Sequence, residues 1–175
     1  MSKKNPRQPV SDISDVLKPK LENVRRVAIL GIGSDLRGDD VAGILTAQQI
    51  EKKIAKQTTS SEIRVFIGET APENLTGEIK KYQPTHLIII DSAEFDAKPG
   101  TIKLLNPDEI GGTSFCTHSL PIKVMTDYLL QSFKFEVITI GIQPGTLAFG
   151  AKPSKEIVEA AKRISTTIAK LFNRQ

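Results

Sequence analysis

What the chain is short of narrows the field first. It holds one cysteine, Cys116, in 175 residues. One thiol excludes an internal disulfide framework and a cysteine-based structural zinc site, and a cytoplasmic compartment is the expectation. No apolar run approaches the roughly 18 residues that a membrane span requires, so no membrane insertion is expected. Met1 to Val10 is polar and basic and lacks the apolar centre of a signal peptide. The net charge is +4, divided between the tail and scattered lysines, with no basic stretch interleaved with aromatics. No nucleic-acid partner is expected from such a pattern. There is no internal repeat and no low-complexity segment.

What is present is an ordinary globular composition, 39% hydrophobic and 25% charged. The length suffices for one domain with a proper core. Residues 1–23 read as an N-terminal extension, partly disordered. Within it Ile13, Val16, Leu17 and Leu21 suit a short amphipathic helix that Pro19 complicates. Residues 24–175 read as a single α/β domain.

Five strands are expected in that domain. Val27 to Leu30 and His86 to Ile90 are short apolar runs of the kind buried on both faces of a sheet. The second of these is the most apolar and is expected at the centre. Ile63 to Ile67, Thr101 to Leu105 and Phe135 to Ile142 complete the set. The fourth strand follows the third so closely that an antiparallel orientation is expected. Helical periodicity marks Val41 to about Lys56, Pro72 to Tyr82, a helix entered through His118-Ser119-Leu120-Pro121, and Ser154 to about Phe172. Strands alternating with helices imply a mostly parallel, twisted sheet with helices on both faces, a three-layer αβα arrangement.

The stretch with chemical content runs from Val27 to Gly43: strand, Gly31-Ile32-Gly33 turn, the acidic pair Asp39-Asp40, then helix. The plain reading is that one of the two aspartates caps the helix. A cap uses only one, and Gly43 keeps the first helical turn thin. The residues alone leave open which of the two is the cap; were it Asp39, Asp39→Asn would be mild, because Asn caps a helix about as well as Asp. Asp40 after the first strand, Asp91 ending the central strand and His118 opening a helix fall at one edge of a parallel sheet. Open α/β sheets keep their sites there. Two carboxylates and an imidazole suit a borderline divalent ion such as zinc or nickel.

Other patterns are weaker. Gly31-Ile32-Gly33 partly matches a dinucleotide fingerprint, but Leu36 stands where the third glycine belongs, and Asp39 and Asp40 would repel a pyrophosphate. Asp91-Ser92-Ala93 has no symmetric partner of the kind an aspartic protease needs. Cys116 and His118 are spaced for a thiolate pair, although a lone cysteine is usually a small buried apolar residue. His86 reads as structural.

Taken together, five segments resemble the [NiFe]-hydrogenase maturation endopeptidases of the HycI and HybD type, with the HycI branch nearest. They are Gly31 to Gly43, Ala71-Pro72-Glu73-Asn74, Ile90-Asp91-Ser92-Ala93 with Pro99-Gly100 beyond, Thr117 to Pro121, and Ile140-Gly141-Ile142-Gln143-Pro144. The resemblance runs from about Val27 to Leu171. It implies an enzyme that removes the C-terminal extension of the hydrogenase large-subunit precursor after nickel insertion. It also implies that Asp40, Asp91 and His118 contact nickel carried by that precursor, with zinc or cadmium as surrogates. Two departures stand out. Ser34 replaces the family's usual Asn, and Glu69 replaces the second glycine of a Gly-Gly pair. A different reading of the same three ligands is a non-catalytic, metal-sensing chaperone of the immature large subunit.

Overall fold

The computed structural model describes residues 13–105 and 119–174, and of residues 119–121 only the main chain. Cys116 and His118, the side chains of Ser119 and Pro121, and the tail before Ile13 lie outside the described residues.

Strands β1 (Arg26–Ile32), β2 (Glu62–Glu69), β3 (His86–Ser92), β4 (Ile102–Leu105) and β5 (Glu136–Ile142) form one sheet in the order β2-β1-β3-β5-β4. The first, second, third and fifth run parallel, and β4 alone is antiparallel, against β5. The most apolar strand is therefore the middle one, as its composition implied. The fourth strand has the expected direction. Its partner is β5, however, which comes between it and β3.

Helices cover both faces. On one side lie α1 (Ile13–Leu17), α2 (Ala42–Ile54) and α5 (Lys155–Leu171), packed on Val27, Ile29, Ile88, Ile90, Ile138 and Ile140. On the other lie α3 (Thr76–Tyr82) and α4 (Ser119–Ser132), whose Ile79, Tyr82, Ile122, Met125 and Leu129 meet Ala28, Leu30, Leu87 and Ile89. Successive residues of β1 and β3 thus alternate between the two cores, as strand geometry requires. Every residue of β3 is buried. Ile13 and Leu17 are themselves core residues, so this part of the segment before β1 is packed against the domain.

Local chemistry sets the ends of the elements. Ser154 caps α5, its hydroxyl accepting from Ile157 N–H. Gln83 takes the left-handed conformation that ends α3, and Pro84 prevents continuation. Single 3₁₀ turns, Gly38–Val41 and Pro72–Leu75, lead into α2 and α3.

The connection after β1 turns toward β2, while the chain leaving β2 crosses to β3 on the other side of β1. The sheet's topological switch point therefore lies between β1 and β3. Crevices for ligands open at the carboxyl ends of such a pair.

Candidate active site at the carboxyl ends of the first and third strands

The close approach of α2 to the strand ends depends on glycine. A Cβ on Gly43 would lie 2.0 Å from the Ile90 carbonyl oxygen and 2.3 Å from that of Ile32. The thin first turn expected from the sequence is what lets the helix sit directly over β1 and β3. Gly33, at φ +140°, leaves no room for a side chain either, since a Cβ there would be 1.8 Å from the Asp40 carbonyl oxygen. The turn is then laced by Ser34 N–H to the Asp40 carbonyl at 3.3 Å and by Asp40 N–H to the Arg37 carbonyl at 3.0 Å. Ser34 still supplies a turn hydrogen bond in the place of asparagine, accepting from Leu36 N–H at 3.3 Å.

Asp40 and Asp91 are both buried, 1% and 0% exposed. Asp40 Oδ1 accepts from the Ser92 hydroxyl at 2.8 Å. Asp91 Oδ1 accepts from the Ser92 N–H at 2.8 Å. Ser92 thereby touches both carboxylates, one with its side chain and the other with its main chain. Two of the three expected site residues meet at the switch point through this serine, which sequence reasoning did not single out. The Asp-Ser pair at the end of an apolar run was the available signal. His118 lies outside the described residues, and among those described no group of three metal-binding side chains occurs.

Asp39 corrects the capping expectation. Neither aspartate of the pair caps its own helix through its side chain. The Asp39 carboxylate reaches across the molecule instead. It accepts from Gly145 N–H at 2.7 Å, Thr146 N–H at 3.1 Å, Ser154 N–H at 2.6 Å and the Ser154 hydroxyl at 3.1 Å. Its own N–H donates to the Thr146 carbonyl at 2.8 Å. So Asp39 does serve a helix start, that of α5, where the helix dipole favours a carboxylate. These four donors make it a clasp between the loop carrying Asp40 and the loop after β5. Asparagine could not replace it mildly, because its amide would point a donor at donors.

The loop after β3 is held by Gln143. Its side-chain oxygen accepts from Phe95 N–H at 2.8 Å and Ala97 N–H at 3.3 Å. The Gly-Ile-Gln-Pro segment thus fixes the chain just beyond Asp91. On the other flank, β2 ends in a bulge that pairs Ile67 with Gly31 and Glu69 with Ile32. Glu69 sits there at φ +46°, a left-handed position that glycine fills without strain.

His86 lies at the far, amino-terminal end of β3, hydrogen-bonded to the Thr85 hydroxyl at 3.0 Å. It takes no part in this edge of the sheet, which agrees with its structural reading.

Comparison with known proteins gives a consistent picture. Residues 44–171 match the family model described as HycI, hydrogenase maturation protease. A Methanocaldococcus jannaschii protein provisionally assigned to the hydrogenase maturation proteases is 31% identical over 163 residues, covering 91% of this chain and 96% of its own. The hydrogenase 3 maturation protease of Escherichia coli K12 is 34% identical over 135 residues, covering 75% and 83%. The crystal structure of HycI from Thermococcus kodakarensis superposes with a TM-score of 0.79 at 28% identity, over 89% of this chain and 97% of that one.

Proposed function

The chain belongs to the hydrogenase maturation protease family, and from that premise we propose that it is the endopeptidase that removes the C-terminal extension of a [NiFe]-hydrogenase large-subunit precursor once nickel has been inserted. The observation that carries the reading is the Ser92 hydroxyl on Asp40, which joins the carboxylate after β1 to the end of β3 at the switch point. Both carboxylates are buried at one edge of the sheet, where two oxygen donors side by side suit a cation brought by the substrate. In this reading Asp40, Asp91 and His118 contact the nickel that the precursor carries. Oxygen and imidazole donors fit such an ion, and zinc or cadmium would be accepted as surrogates.

The chemistry follows from that contact. Held there by Asp40, Asp91 and His118, the precursor's nickel would supply Lewis acidity to the scissile carbonyl and to a water. One of the buried carboxylates would take the proton from the attacking water. Asp39, already saturated by four donors, is not that base. No helix among the described residues is long and apolar enough to cross a membrane.

The test is intact mass of the nickel-loaded precursor after incubation with the protein. Loss of the extension is expected with the wild type and with Cys116→Ser, whereas Asp40→Asn, Asp91→Asn and His118→Ala should leave the precursor uncut while remaining folded. An uncut precursor held in a stable complex with the wild type would instead establish a holding chaperone. Full activity in His118→Ala, or its loss in a folded Cys116→Ser, would turn the mechanism toward a thiol.

A further inference from the structure

Two of the exposed apolar side chains sit on the loops that carry or clasp the site aspartates. Leu36 is 57% exposed and Phe149 is 81% exposed. An isolated exposed apolar residue is ordinary and has no meaning by itself. These two come from distant segments and are brought to one rim by a main-chain hydrogen bond, Gly150 N–H to the Leu36 carbonyl at 2.8 Å. Neither lies in a helix or strand whose packing would explain an apolar residue. Tyr128 on α4, also exposed, is different, because the Lys80 ammonium lies 5.1 Å from its ring centroid.

The rim is fixed relative to Asp40. Leu36 lies inside the turn that Ser34 and Arg37 tie to the Asp40 main chain. The segment of Phe149 is held to the same turn by the four donors on Asp39. Gly38 presses the two loops together, at φ +52°, where a Cβ would stand 2.7 Å from the Thr146 carbonyl oxygen.

We propose that Leu36 and Phe149 form a docking lip for the protein substrate, an apolar anchor that holds the large-subunit precursor while its extension reaches Asp40 and Asp91. The inference rests on the peptidase reading above. Its occupant is the substrate and not a second copy of this chain, because the lip is part of the turn that bears Asp40. A second copy seated there would stand over the edge of the sheet that a protein-sized substrate has to reach. A leucine and a phenylalanine of this exposure gain most by desolvation against an apolar patch, and aromatic residues are common anchors of such contacts.

The experiment compares wild type with Leu36→Ser, Phe149→Ser and the double variant. It measures initial rates of precursor cleavage, equilibrium binding to the precursor, and urea unfolding. Each single change is expected to raise KM and Kd about tenfold, the double change further, as loss of an apolar anchor does. kcat and the unfolding midpoint should stay as in wild type, since binding common to ground and transition states is what is removed. Unchanged KM and Kd in the double variant would overturn the lip, as would a fall in kcat at constant KM. It would also fall if the wild type sediments as a dimer that Phe149→Ser dissociates. Binding that the double variant weakens, without any cleavage by wild type, would sink the peptidase reading and leave the lip standing. A wild type that neither binds nor cuts the precursor would sink both.

Discussion

Ser92 and Asp40 lie 52 residues apart in the chain and share a buried hydrogen bond of 2.8 Å. The serine hydroxyl is a donor to a carboxylate that solvent does not reach. Ser92→Ala removes it without touching either aspartate. A hydrogen bond to a charged group is worth about 1.5–3 kcal/mol, and urea unfolding should register a loss of that size. Cleavage of the nickel-loaded precursor should fall roughly tenfold through kcat, as expected of a group that orients the Asp40 carboxylate. Undiminished kcat in Ser92→Ala would separate this bond from the chemistry.

Asp39→Asn should be clearly destabilising, contrary to what a simple helix cap would give. The variant keeps one acceptor oxygen for donors that now occupy two. Its amide would face either Ser154 N–H or the pair Gly145 and Thr146. A cost of roughly 3 kcal/mol is expected from the lost charge-assisted bonds and the donors left without an acceptor. The measurement is the denaturation midpoint against wild type. A shift smaller than that of Ser92→Ala would show that the clasp contributes little.

The contrast between these two aspartates marks what the sequence can and cannot tell. The buried strands were legible because β1 and β3 are nearly unbroken apolar runs. The edge that carries Asp40 and Asp91 was legible because parallel strands end on one side. The thin turn at Gly43 was legible for the same local reason. The role of Asp39 was not, since its acceptor oxygens are filled from residues more than a hundred positions away. The partner of β4 was hidden too, because the order of strands is decided by long-range pairing and not by the length of the preceding connection.

Glu69→Gly should stabilise the protein. Glu69 holds φ +46° at the bulge where β2 leaves β1, and its side chain is exposed, so little packing is lost. A left-handed conformation costs a non-glycine residue about 1–2 kcal/mol, of which the greater chain entropy of glycine takes back part. A net gain of about 0.5–1 kcal/mol in urea unfolding is expected, with cleavage retained. Destabilisation by this change would mean that the glutamate makes a contact worth more than the strain.

Stability should fall as the pH drops below neutrality, in part through His86. Burial pulls its pKa below the usual 6.5, and Glu136, its cross-strand neighbour, offsets some of that. The folded state therefore binds this proton less readily than the unfolded chain does. Well above pH 6.5 the two states are equally deprotonated and the histidine has no effect on stability. As the pH falls below 6.5 the unfolded chain takes up a proton that the native state refuses, and stability is lost until the folded pKa is reached. Urea midpoints at pH 5.5 and 7.5 should thus differ less in His86→Gln than in wild type. Glu136→Gln should widen the difference, because it removes the group that raises the folded pKa. Equal differences in wild type and His86→Gln would show that the histidine is protonated as easily in the fold as out of it.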